Sequence, residues 1–151
     1  MSEKLFDQLI GAWKLVSYVE EPVDGSPAIQ PFGMHPQGII MYTPDGYMSA
    51  QLMNPQRIAF ASGDWFDGTA QEYESEATTY IAYSGKFEVD EAKRTLTHSM
   101  YVSLFPNWLG QTQPRVIDLD RDVLRLSPAA PIRSRGRLVS PYLEWHRAAA
   151  R

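Results

Sequence analysis

Residues 38–52, GIIMYTPDGYMSAQL, constrain this chain more than any other stretch. Two β-prone runs flank Thr43-Pro44-Asp45-Gly46. Proline presets φ at the first central position of a type I turn, and Gly46 takes the left-handed region to form a G1 bulge. That turn pairs Tyr42 with Met48 and Ile40 with Ala50. One face of the hairpin becomes Ile40, Tyr42, Met48, Ala50 and Leu52, and the other carries Ile39, Met41, Ser49 and Gln51. A two-residue Asp45-Gly46 turn is the alternative, and it shifts the register. The first run is apolar on both faces, which a sheet with one wet face does not require. A closed barrel accounts for it if one face is interior and a helix or a partner subunit shields the other.

The rest of the chain agrees with closure. Leu5, Phe6, Leu9 and Ile10 share one helical face, and Gly11 is placed to end a short N-terminal helix. In the strand WKLVSYVEE, Trp13, Leu15 and Ser17 take one side, and Lys14, Val16 and Tyr18 the other. Residues 22–36 read as a loop. Thr69-Ala70-Gln71-Glu72 matches a capping box that opens a second helix near residues 70–82, with Tyr73, Ala77, Tyr80 and Ile81 on one face. Short strands follow: YSGKFEVD, TLTHSMYVSLF, PRVIDLD, VLRLS and SPYLEWHR. There is no βαβ rhythm, repeat or linker. The expected fold is all-β: one antiparallel up-and-down barrel over residues 1–151, with two short helices.

Composition removes several function classes. The net charge is −4, which argues against nucleic acid, because phosphate binding needs a clustered basic surface. Arg133, Arg135 and Arg137 alternate and read as a solvated strand or loop. No cysteine is present, so thiolate chemistry and disulfides are excluded. The N-terminal MSEKLFDQLI has no long apolar region and no run reaches transmembrane length, so the expectation is a cytoplasmic protein without a membrane partner. His35, His98 and His146 lack ligand-like spacing, so no metal is expected. No phosphate-binding loop, dinucleotide fingerprint or G-x-S-x-G motif occurs, so no cofactor is expected.

Gly11-Ala12-Trp13-Lys14-Leu15-Val16-Ser17 after a short helix resembles the G-x-W first strand of lipocalins and other calycins. Together with Tyr42–Ala50, Tyr80–Gly85, Thr97-His98, Ser103–Trp108 and Leu124–Ser127, it makes nearly the whole chain similar to the bacterial and fungal lipocalin-like domain family. The resemblance implies an antiparallel barrel with a central cavity for a small, mostly apolar molecule. Some relatives belong to natural-product pathways, and some such barrels act as cyclases or isomerases. It also implies that an arginine of the last strand covers the first-strand tryptophan. Arg147, on the same side as Trp145, would then pack over Trp13 as a barrel-closing cation–π pair.

His98 lies on an apolar strand face with Leu96, Met100, Val102 and Leu104, and therefore points inward. It is either a paired core histidine or a group that meets a ligand and transfers protons. Phe105-Pro106-Asn107-Trp108-Leu109-Gly110 is either a plug or a pocket rim, with Asn107 as a polar contact. Arg115 could anchor a ligand carboxylate or lie on the surface. Tyr73 and Tyr80 either form a lid or pack the helix on the barrel. Asp118, Asp120 and Asp122 read as solvated hairpin charges. The candidate ligand set is Tyr42, Met48, Tyr80, His98, Met100, Asn107, Trp108 and Arg115. The expected function is binding of a small apolar or aromatic molecule. The alternative is a cofactor-independent cyclase or isomerase of polyketide-like or terpenoid metabolites, with His98 as the catalytic proton-transfer group. A homodimer joined through the doubly apolar strands is a third expectation.

Overall fold

The computed structural model describes residues 3–150. It contains helix α1 (Leu5–Leu9), strands β1 (Gly11–Pro22), β2 (Gln37–Tyr42) and β3 (Tyr47–Met53), and helix α2 (Ala70–Thr78). Strands β4 (Tyr80–Asp90) and β5 (Thr95–Ser103), a 3₁₀ turn at Pro106–Trp108, and β6 (Thr112–Asp120), β7 (Val123–Pro128), β8 (Ile132–Ser134) and β9 (Arg137–Arg147) follow. Strands β1 to β7 pair in sequence order, β7 pairs with β9, and β9 returns to β1, all antiparallel. Eight strands therefore close into a barrel, the expected all-β fold, and no sheet edge is left between them. The ninth, β8, is a short hairpin partner that lies beside β9 beyond the end of its pairing with β7.

The opening hairpin has the bulged register. Tyr42 faces Met48 and Ile40 faces Ala50. Gly46 has φ +94°, and the Thr43 and Gly46 amides close the turn. The inner face, Ile40, Tyr42, Met48, Ala50 and Leu52, is buried. On the outer face, where a helix or a partner subunit was the expected shield, no described helix covers Met41, which is 42% exposed beside partly buried Ile39.

Two bulges correct the simple alternation. In β1 the pairing with β9 slips between Leu15 and Ser17, so Val16 is extra and Tyr18, not Ser17, joins Trp13 and Leu15 inside. In β5 the slip falls at Tyr101, because Gly85 faces Met100 while Ser84 faces Val102. Tyr101 is pushed out to 84% exposure, and Val102 and Leu104 are exposed rather than interior.

One barrel end is sealed. Leu5 and Leu9 of α1 are buried in the core, and Phe6 stacks on Phe87 at 5.3 Å between ring centroids. Five residues are too few for a stable helix alone, and side chains from outside it hold both its ends. The Glu91 carboxylate accepts from the Leu5 and Phe6 amides at 2.7 and 3.0 Å, where the helix presents unpaired donors. At the other end, Trp13 Nε1 donates to Leu9 O at 2.9 Å, and Arg147 donates to Gln8 O at 2.7 Å and Ile10 O at 3.1 Å. The Arg147 guanidinium lies 4.2 Å from the Trp13 ring centroid and also meets Asp122 at 3.0 Å. Asp122 is an exposed charge, as expected, that also pairs with Arg147.

Helix α2 carries the capping box: Glu72 N donates to Thr69 Oγ1 at 3.1 Å and Thr69 N to Glu72 Oε1 at 2.8 Å. It ends at Thr78, earlier than residue 82, and none of its residues is buried. Tyr73 packs edge-on against Phe60, and its hydroxyl bridges Gly68 N and Trp65 O, so it fixes the 54–69 loop rather than covering the barrel. Tyr80 is the first residue of β4, with Arg57 over its ring at 4.9 Å and its hydroxyl on the Gln51 side chain. No described helix is long and apolar enough to cross a membrane.

Candidate functional site

The barrel end opposite α1 holds a chamber of about 390 Å³. Its position follows from three breaks in the wall. Strand β6 pairs with β5 only as far as Ser99, and the 105–110 turn fills the remainder. Strand β7 leaves β9 after Leu126. From the end of β7 to the start of β8 the run Pro128-Ala129-Ala130-Pro131 has two prolines that lack an amide for the ladder and two small side chains that leave room.

Ile40, Leu52, Ile81 and Tyr83 form one side of the chamber, and Leu126, Leu143 and Trp145 the other. Tyr18 comes from β1, and Gln113, Pro114 and Arg115 from β6. Asn107, Trp108 and Gln111 make the rim on one side, with the proline run opposite. The surface is mostly apolar with a few polar ends, the usual makeup of a small-molecule site. Phe32, from the β1–β2 loop, packs edge-on against Tyr18 with ring centroids 5.0 Å apart.

Of the sequence candidates, Asn107, Trp108 and Arg115 line this chamber. Trp108 touches Phe105 and Tyr83 edge-on at 5.2 and 5.9 Å, and the turn that carries it borders the chamber. Tyr42, Met48, His98 and Met100 point inward but lie in the packed core and do not line the chamber. Tyr80 does not line it either. His98 is 0% exposed, and its Nε2 shares a hydrogen bond with the Tyr42 hydroxyl at 2.9 Å. Its Nδ1 has no partner among the described residues. His35 and His146 are exposed, and among the described residues no group of three or more His, Cys, Asp or Glu side chains could hold a metal. Arg133, Arg135 and Arg137 are exposed on the β8–β9 hairpin.

Several contributors escaped the sequence reading. Simple alternation puts Tyr18 on the side opposite Trp13 and Leu15, and the Val16 bulge brings it to theirs. Behind it Glu20 is only 3% exposed, and its carboxylate accepts from the Tyr18 hydroxyl at 2.9 Å and the Ser134 hydroxyl at 2.8 Å. The legible signal is Pro128 and Pro131, which have no amide to give a ladder, although Pro128 still pairs opposite Arg115 and Ala129 N donates to Pro114 O at 3.3 Å. Burial, reinforced by the Glu20 charge and hydrogen bond, pushes the Tyr18 phenol far above its ordinary range.

Burial, with the Arg115 charge as a smaller cause, holds the His98 pKa well below the usual imidazole value. The folded protein therefore resists a proton that the unfolded chain accepts below pH ~6.5. Stability should be unaffected by His98 above that pH and fall by about 1.4 kcal/mol per unit as pH drops toward the lowered folded value. Urea unfolding at pH 7.5, 6.0 and 5.0 should give a steeper loss for the wild type than for His98→Gln. Parallel pH profiles would show that His98 is not held neutral by the fold.

The chain was compared with known proteins. The family model described as a lipocalin-like domain matches residues 10–148. The 4'-hydroxy-3'-methoxypropiophenone carrier protein ppsC of Aspergillus oryzae is 33% identical over 106 residues, covering 66% of this chain and 96% of that protein.

Proposed function

For a chain that belongs to the lipocalin-like domain family, we propose that the open-ended chamber binds a small, flat aromatic molecule and carries it without chemical change. The chamber itself is the observation that supports this. Its volume of about 390 Å³ lies inside the range of roughly 300–1,000 Å³ typical of ligand pockets. Trp108, Trp145 and Tyr83 offer ring surfaces, and Asn107, Gln111, Gln113 and Arg115 offer polar contacts. The likeness to a protein named as a carrier of an aryl ketone supports the same ligand class. A proton-transfer role for His98 forms no part of the proposal, because its ring is enclosed in the core with Nε2 on Tyr42. The cysteine-free chain suits a reducing compartment, and the cytoplasm is the proposed setting.

Titration with 4'-hydroxy-3'-methoxypropiophenone should quench tryptophan emission saturably, because Trp108 and Trp145 stand in the wall. A micromolar Kd, about −8 kcal/mol, is expected. Ala130 lies exposed on the rim, so Ala130→Trp should leave folding intact while weakening binding about tenfold or more. Absent or non-saturable quenching, or equal affinity in the occluded variant, would contradict the proposal.

A further inference from the structure

Among the described residues, Arg115 is the one formally charged side chain in the chamber wall. It shares the inner face of β6 with buried Ile117 and Leu119. One guanidinium nitrogen donates to Gln113 Oε1 at 2.8 Å and another to the Pro114 carbonyl at 3.3 Å. Both acceptors are neutral, and among the described residues Arg115 enters no ion pair. Glu20, the buried carboxylate of this end of the barrel, is engaged by Tyr18 and Ser134. An arginine has five donors arranged to grip an oxyanion, and half-burying it without a counter-charge is costly.

We propose that the chamber binds its ligand as an anion: an aromatic ring in the apolar part, with an acidic oxygen, such as a phenol conjugated to a carbonyl, ionised against Arg115. This rests on the carrier reading above and adds the charge state that the site selects. The titratable groups around Arg115 are Tyr18 and Glu20 from β1, Tyr42 from β2, Tyr83 from β4 and His98 from β5. The wall contributed by β7, β8, β9 and the 105–110 turn holds none.

The probe is 4'-hydroxy-3'-methoxypropiophenone, whose phenolate absorbs at longer wavelength than its phenol. Its ionisation midpoint is read by absorbance, free and with saturating protein. The midpoint should fall by about one pH unit or more, meaning that the anion binds at least about tenfold tighter than the phenol. Arg115→Met should return the midpoint to the free value or above, while Arg115→Lys, which keeps the charge, should retain most of the shift. The 3',4'-dimethoxy ether cannot ionise, and Arg115→Met should weaken its binding far less than it weakens binding of the ionised phenol. Thermal midpoints of the variants within a few degrees of wild type would establish that both fold. Equal binding of both compounds with no midpoint shift would overturn the anion proposal and leave the carrier reading standing. Binding of neither compound would overturn both.

Discussion

Gly85→Ala should cost about 3 kcal/mol or more of folding stability, although it adds a single methyl group to an inner strand position. A Cβ on Gly85 would lie 1.7 Å from Ser99 O and 2.9 Å from both Ser99 C and Tyr101 N. All three atoms are backbone, so no rotamer change relieves the overlap. The close approach comes from the β5 bulge, where Gly85 sits opposite Met100 and Tyr101 has no partner. Room for the methyl requires β4 and β5 to separate, and their hydrogen bonds weaken with them. The urea midpoint should fall sharply. Gly63→Ala is the comparison: Gly63 has φ +71° but nothing within 4 Å of its added Cβ, so only backbone strain of about 1 kcal/mol applies. Equal midpoints for the two variants would mean that the two strands are not packed this closely.

Arg147→Met should cost about 3 kcal/mol and open the sealed end. Methionine preserves most of the stem that crosses Trp13 but removes the charge 4.2 Å from its ring. It also removes donors to Gln8 O, Ile10 O and Asp122 Oδ1. Hydrogen bonds to charged groups contribute about 1.5–3 kcal/mol each, and the cation–π contact about 0.5–2, but contacts of one side chain do not add fully. Because α1 is five residues long, these contacts and the Glu91 cap hold it more than its own propensity does. Hydrogen exchange of the Gln8 and Leu9 amides should quicken well before that of the barrel strands. The chamber lies at the opposite end, so ligand affinity of the folded variant should hold. A loss below about 1 kcal/mol would mean that the barrel closes without Arg147.

Much of this architecture was legible because a few residues fix geometry locally. Thr43-Pro44-Asp45-Gly46 permits one favoured turn, which set the register of the whole inner face from Ile40 to Leu52. Thr69 and Glu72 located the start of α2 by pairing each other's backbone amides. The end of α2 was less legible, because Tyr80 and Ile81 continue the helical spacing although β3 pairing claims them. The bulges at Val16 and Tyr101 were hidden because an inserted residue of any type changes the phase of alternation. That phase change is why Tyr18 was misassigned and why Val102 and Leu104 proved exposed.

The candidate site was legible by face but not by height. Period-two alternation put Tyr42, Met48, His98 and Met100 inside, and they are inside. It carries no information on distance along the barrel axis, and these four fall in the filled part. Chamber and core share one inner face and differ in whether neighbouring strands continue. That depends on where β6 and β7 leave their partners, a non-local property marked in the sequence only by the Pro128–Pro131 run.

Ligand entering the chamber of this lipocalin-like barrel should be visible in the indole N–H resonances of the protein's four tryptophans. Trp108 and Trp145 line the chamber, Trp13 lies at the sealed end under Arg147, and Trp65 is 74% exposed on the 54–69 loop. Titration with 4'-hydroxy-3'-methoxypropiophenone should shift the Trp108 and Trp145 signals along one saturation curve and leave Trp13 and Trp65 in place. Saturable shifts at Trp65 alone, or no shift at any indole at millimolar ligand, would contradict the account.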